Sequence, residues 1–186
     1  MSRHRPSIPS RRRFFLGCEG GSERSYGALL RRLAEFAGLH VHLDLHDLRG
    51  GDPLAVIEAA CRKAKERARN RGAFVGQAVL VDADRLGQTP DRDAQINPLA
   101  HAERILVVWQ RPCHEALLLH HLPGCQTLMP ADRSAANAAL CRCWPEYRKP
   151  MSAVRLTARI GLAEVRAAAR VEGELSSLLA LLGFPP

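Results

Sequence analysis

FFLGCEGGSE, residues Phe14 to Glu23, is the stretch whose reading decides the fold. The run from Arg13 to Cys18 has the length and apolar character of a short buried strand. It stops at an acid, two glycines follow, and a helix-like segment begins. Glycine-rich turns from strand to helix commonly cradle a phosphate with backbone N–H groups. Here a carboxylate, Glu19, stands at the centre of the turn, where a bare anion would be repelled.

Working outward, Ser22 is placed to cap the following helix. Leu29, Leu30, Leu33, Phe36 and Ala37 recur on one face of it until Gly38 stops it. HVHLDLHDL (His40 to Leu48) then alternates strictly. Val41, Leu43 and Leu45 fall on one side and His40, His42, Asp44 and His46 on the other, the pattern of a half-buried strand. After the GGDP turn (Gly50 to Pro53), Asp52 caps a helix with Pro53 at its first position, running through Ala55, Ile57, Ala60 and Ala64 to about Arg69. AVLVDAD (Ala78 to Asp84) is an apolar strand ending in two acids, and Asn97-Pro98 opens a short helix. ILVVW (Ile105 to Trp109) is another strand and CHEALLLHHL (Cys113 to Leu122) a helix.

Strands and helices thus alternate, and the strands are apolar throughout. That predicts an α/β fold with a mainly parallel, Rossmann-like sheet flanked by helices on both faces. After Pro123 the pattern is helical alone, Ala131 to Cys143 and then Ala153 to Leu182, with Pro145 and Pro150 between. The expected organisation is a flexible basic arm over 1–12, an α/β core over 13–123 and a C-terminal helical extension over 124–186 packed on the core.

A chain of 186 residues is most simply one domain, able to bury about 70% of its unfolded surface without staples. Hydrophobic content of 46% and charged content of 25% describe an ordinary soluble globular protein. The six cysteines include no CxxC pair, and Cys141 and Cys143 stand a single residue apart. Neither a zinc ribbon nor a secreted disulfide scaffold fits, so a reducing cytoplasm is the expected location. No apolar run approaches the roughly 18 residues of a membrane span. The basic N-terminus is followed by too short an apolar run for a signal peptide.

The net charge of +8 favours a polyanionic partner, DNA or RNA, over a merely basic surface. RKAKERARNR (Arg62 to Arg71) reads either as a solvated helix face or as a track for a phosphate backbone. His40, His42 and His46 read as solvent-facing, because zinc would lack a fourth ligand. Cys113, His114, His120 and His121 point in different directions on a helix. Cys18 reads as a buried thiol.

In an open parallel sheet, ligands bind beyond the carboxyl ends of the strands. Glu19 lies just past the first strand, and Asp82 and Asp84 lie at the end of the third, on the same side by strand alternation. If those strands are neighbours, three carboxylates meet on one rim. Like charges so close require a cation, protons or water between them. Hard oxygens without Cys or His beside them suit Mg²⁺ or Mn²⁺. A metal held by Glu19 would then bridge to a phosphate that the glycines let approach. The plainer alternative is a solvated turn acid and an ordinary D-x-D turn. Glu23, in the first helical turn, is favourable to the helix dipole in either case.

CEGGSERSY (Cys18 to Tyr26), GGDP, VDAD (Val81 to Asp84) and RPCHEALLLHHL (Arg111 to Leu122) together resemble the Toprim domain of topoisomerases, primases and OLD-type nucleases. More closely, they resemble the RloB-like family of phage-defence-associated Toprim-like proteins. Pro112, Glu115, Leu118 and His120 stand in register with that family's Asn-Pro-x-Phe-Glu-x-Trp-Leu-Leu-x-His pattern, from which Arg111, His114 and Leu117 depart. EYRKP (Glu146 to Pro150) is similar to a Tyr-x-Lys element.

The resemblance implies that Glu19, Asp82 and Asp84 bind Mg²⁺, that Lys149 neutralises a phosphate, and that Glu115 serves a second metal or activates water. The alternative for Glu115 is a helix N-terminal acid facing the dipole. For Lys149 it is an exposed cation in a proline-flanked loop. By the same resemblance the protein is a metal-dependent nuclease cutting phosphodiesters of DNA or RNA in a bacterial phage-defence system. The alternative is a non-catalytic module that binds nucleic acid or a partner ATPase encoded nearby; an oligomer is compatible with both. The chain has no GxxxxGK[ST] motif, so any ATPase must be another chain.

Overall fold

The computed structural model describes residues 11–185. In chain order they form β1 (Arg12–Cys18), α1 (Gly21–Phe36), β2 (Val41–Asp47), α2 (Pro53–Arg71), β3 (Gly76–Asp82), α3 (Pro90–Asp93), α4 (Ile96–Ala102), β4 (Ile105–Gln110), α5 (His114–His120), α6 (Arg133–Cys143), α7 (Ala153–Thr157), α8 (Leu162–Ala169) and α9 (Gly173–Leu182). The four strands make one sheet in the order β2-β1-β3-β4. Every pairing is parallel. The α/β alternation read from the sequence is therefore the architecture observed. β1 and β3 are central neighbours, with Cys18 opposite Leu80, so their carboxyl ends lie side by side.

Several boundaries differ from the expected ones. Residues 1–10 of the expected arm lie outside the described residues, and Arg12 already belongs to β1. β3 ends at Asp82, leaving Asp84 in the following turn rather than in the strand. Gly20, not Ser22, is the cap of α1, and the Glu23 carboxylate reaches back to accept the Gly20 N–H at 2.9 Å. The extended φ of −152° at Gly20 starts the helix two residues early, and an acid three residues on then closes the turn. Asp52 caps α2 as expected, accepting from the Ala55 N–H at 3.2 Å. The helical stretch expected over 153–182 consists of three short helices, α7 to α9.

Each face of the sheet has its own core. On one face Phe14, Leu16 and Leu80 pack with Leu29 and Leu30 of α1 and with Leu140, Trp144, Ile160, Val165 and Leu178 of the C-terminal half, all in one continuous cluster. The C-terminal helices thus share a core with α1 and the strands. On the other face Phe15, Val79 and Val81 meet Val56, Ile57 and Ala60 of α2 and Ile96 of α4. The approach of α1 to the sheet is close: a Cβ on Gly27 would stand 2.9 Å from Leu45 and 3.0 Å from Leu16.

The polar row of β2 is less open than its alternation implies. His40 and His42 are exposed. Asp44 is buried and meets Arg13 at 3.2 Å, Arg67 at 3.2 Å and His46 at 3.1 Å. His46 stacks on Phe15 with ring centroids 5.3 Å apart. α2 covers this face, and its Arg67 supplies the charge that lets a carboxylate remain there. Among the described residues no helix is long and apolar enough to cross a membrane.

Candidate functional site

The acids singled out in the sequence meet where β1 and β3 end. The Glu19 N–H donates to the Leu80 carbonyl at 3.2 Å, continuing the ladder one residue past β1. Its Oε2 accepts the backbone N–H of Asp82 at 2.9 Å. Asp82 is itself buried. Its Oδ1 accepts the backbone N–H of His114, the first residue of α5, at 2.8 Å. Its Oδ2 lies 2.9 Å from Nη2 of Arg133. The same guanidinium reaches Asp84, with Nη2 at 2.7 Å and Nε at 2.9 Å from Oδ2. One arginine at the start of α6 therefore joins both members of the D-x-D pair.

Glu19, Gly20, Gly21, Asp82, Arg133 and Lys149 line a cleft of about 430 Å³. Neither glycine has a positive φ, so the turn does not require glycine for its backbone. A Cβ on Gly21 would meet nothing within 4 Å. What the glycine provides is a floor of bare backbone.

The carboxylates outnumber the cations here. Burial, then the neighbouring charges of Glu23 and Glu19, push Asp82 up to about 8, while Arg133 pulls the other way without cancelling them. Burial also raises Glu19, against the hydrogen bond from the Asp82 N–H. His114 adds no compensating charge. Burial pushes its imidazole down, so at neutral pH it stands 3.8 Å from Glu23 as an uncharged ring.

Glu115 and Lys149 form a second unit beside this one. Lys149 Nζ lies 2.7 Å from Glu115 Oε1, and the Tyr147 hydroxyl donates to the same oxygen at 3.2 Å. Burial works against the Glu115 carboxylate, but its bond to Lys149 outweighs that and holds it at about 2. Its Oε2 is buried without a partner among the described residues. Glu115 lines a neighbouring cavity of about 580 Å³ with Ser134 and Asn137, and Arg133 and Lys149 border both spaces. Lys149 is thus an exposed cation in a proline-flanked loop, as the plainer alternative has it, and it is also ion-paired to Glu115.

The structure brings Glu19, Asp82 and Asp84 together around Arg133, puts Lys149 on the cleft wall, and sets Glu115 one cavity away. Among the described residues no three His, Cys, Asp or Glu side chains are grouped as a ready-made metal site. Arg133 occupies the position between Asp82 and Asp84. The donor chemistry nonetheless fits a hard divalent ion. The oxygens are carboxylate, and Asp82 is raised by burial first and then by the charges of Glu23 and Glu19, a combination that a bound cation would relieve.

Sequence reading missed Arg133. Its one signal is a cation in the first turn of a helix, where the dipole disfavours it unless acids lie close by. The two histidines at the end of α5 and just beyond it hold neighbouring segments together. His120 binds Glu172 at 2.6 Å and the Leu128 carbonyl at 2.7 Å; His121 meets the Tyr26 hydroxyl at 2.9 Å. Cys18 is fully buried, and burial pushes its thiol far up, as the inert reading expects. Comparison of the chain with family models, with curated proteins and with solved structures finds no match.

Proposed function

We propose that the protein is a metal-dependent nuclease in which Glu19, Asp82 and Asp84 hold Mg²⁺ or Mn²⁺. The supporting observation is the buried Asp82 beside Glu19 at the ends of adjacent parallel strands, its carboxyl raised by burial and neighbouring acids in a bare-floored cleft. A bound divalent ion would supply Lewis-acid polarisation of a phosphoryl oxygen and a more acidic water.

The chain's own residues prepare the place. The His114 N–H and the Glu19 carboxylate fix Asp82 from two sides. Gly20 and Gly21 admit a phosphate without side-chain obstruction, and Arg133 and Lys149 on the wall reduce the repulsion between that phosphate and the acids. At about 2, Glu115 is too weak a base to take a proton from water near neutral pH. Its role in this arrangement is to hold Lys149 in place. The resemblance to RloB-like proteins extends the proposal to bacterial phage defence in the cytoplasm, on DNA or RNA, with an ATPase as a partner chain.

One observation favours a second reading. Arg133 already bridges Asp82 and Asp84, so a protein cation balances these acids without a metal, which suits a non-catalytic module binding nucleic acid or a partner ATPase. Cleavage of labelled DNA, tRNA and single-stranded RNA in Mg²⁺, Mn²⁺ or EDTA separates the two, run beside Asp82→Ala/Asp84→Ala protein of unchanged circular dichroism. The nuclease gives metal-dependent cutting that the variant lacks. Equal binding with and without metal, and no cutting of any substrate, gives the module.

A further inference from the structure

β2 ends the sheet, so its outer edge has no strand beside it among the described residues. Along that edge lies a groove of about 470 Å³, lined by α1, by β2, by the end of α2 and by the start of α7, which packs against α1. Arg24 and Arg31 of α1, His42 of β2 and Arg71 at the end of α2 line it. All four are exposed. The arginines that have ion-pair partners are Arg13, Arg67, Arg92, Arg111 and Arg133. The three in the groove have none among the described residues. Asp44, the one acid on the lining, is already neutralised by Arg13 and Arg67.

Two further facts give the groove a direction. Arg24 and Arg31 are two helical turns apart, about 10 Å along one side of α1. Gly21, one turn before Arg24, lines both this groove and the acidic cleft, so the two spaces adjoin at that residue.

We infer that this groove binds the sugar-phosphate backbone of a single-stranded nucleic acid and leads it to the cleft at Glu19 and Asp82. Unpaired guanidiniums recognise phosphates directly. A concave groove of about 470 Å³ along one sheet edge suits one chain of phosphates better than the convex flank of a duplex. No Phe, Tyr or Trp lines it, so the grip is on phosphates and tolerant of sequence. α2, the helix that its charge run marks as a possible phosphate track, is the weaker candidate. Its Lys63, Lys65 and Arg67 are tied to Glu66, Glu103 and Asp44. Of its unpaired arginines among the described residues, Arg71 is the one that lines the groove, with Arg62 and Arg69 outside it.

The inference rests on the nuclease reading only for what happens at the end of the groove. Its test is therefore made in EDTA. Fluorescence anisotropy of a labelled single-stranded oligonucleotide, as DNA and as RNA, is measured across a salt series for three proteins: wild type, Arg31→Ala/Arg71→Ala in the groove, and Arg62→Ala/Arg69→Ala on α2. Both variants lose two exposed arginines. Each phosphate contact adds about 0.7 to the slope of log K against log salt. The groove variant is expected to bind roughly tenfold more weakly with a slope smaller by about 1.4, and the α2 variant to stay near wild type.

Equal losses in both variants, an unaltered groove variant, or a wild type that binds no oligonucleotide overturns the inference. An unaltered groove variant would leave the open edge of β2 for a protein strand instead. Binding through the groove without cleavage in Mg²⁺ or Mn²⁺ removes the nuclease reading and leaves the groove. Cleavage undiminished in the groove variant does the reverse.

Discussion

Replacing Asp82 by Asn should make the metal-free protein more stable while removing its response to metal. In the folded chain Asp82 moves from an ordinary 3.8 to about 8. At about 1.4 kcal/mol per unit, the penalty of ionising it has a ceiling of roughly 6 kcal/mol above pH 8. Because the folded value is the raised one, the folded state holds a proton that the unfolded state has lost. Stability from this group is therefore complete below about pH 4 and falls as pH rises towards 8.

Asn keeps an oxygen to accept the His114 N–H and never ionises, but it gives up the ion pair with Arg133. The value of about 8 already contains the pull of Arg133, an arginine 47% exposed, so losing the pair adds no separate cost. Water at the open cleft keeps the realised gain below the ceiling. The expected net gain is about 2–4 kcal/mol at pH 8 and close to nothing at pH 5, or roughly 5–15 °C in Tm at the higher pH. Urea unfolding in EDTA, followed by the fluorescence of Trp109 and Trp144, reads it at both pH values. Adding Mn²⁺ should stabilise wild type at pH 8 and leave Asp82→Asn unmoved. If the variant is less stable than wild type at both pH values, Asp82 is not a carboxylate held against its preference, and the electrostatic reasoning fails.

Gly21→Ala, with open space for its methyl and a helical position, should keep or raise stability by up to about 1 kcal/mol. The same methyl stands on the cleft floor, so cutting or oligonucleotide affinity should drop; thermal melts beside either assay would show the two moving apart. Lys149→Met strands the Glu115 carboxylate in a buried place, at a cost of about 1 kcal/mol once the half-exposed lysine is allowed for. Since the folded Glu115 value is lowered to about 2, that stability exists above its unfolded value and fades as pH falls through 2. Wild type and variant should differ at pH 7, draw together as pH falls below 4.5, and converge near pH 2 in urea titrations. His120 is opposed by burial but raised above 6.5 by Glu172 and the Leu128 carbonyl. Its contribution is present below the unfolded value and lost as pH rises through the folded one. An NMR titration placing His120 below 6.5 would contradict this, as would a Tm of His120→Gln that tracks wild type from pH 5 to 8.

The parallel alternation was readable because each buried strand is a short apolar run and each helix repeats on one face, both local patterns. Glu19, Asp82 and Asp84 were readable as a group because open sheets place ligands beyond strand ends. Arg133 was not. It lies 49 positions from Asp84, and no local period connects a helix start to a distant strand end. Asp44 was misplaced for a similar reason: alternation says which side a residue faces, but not that Arg67 from α2 will cover that side. The Ser22 cap failed through chemistry that a glycine hides, since the capping group comes from Glu23 instead.

The continuous cluster joining α1 to the C-terminal helices bears on how the protein is made. A chain emerging from the ribosome has β1 to β4, with all the acids of the first cleft, before it has Arg133, Lys149 or the leucines of α8 and α9. Until those arrive, one sheet face is covered only in part, by α1 and α5, and Asp82 has no positive neighbour from α6. Covering the sheet and balancing the charge are completed by the same late segment, so a chain broken off before α6 would lack both together. Such a fragment would expose apolar strands to aggregation and to proteases, and it would lack the cleft's cationic wall.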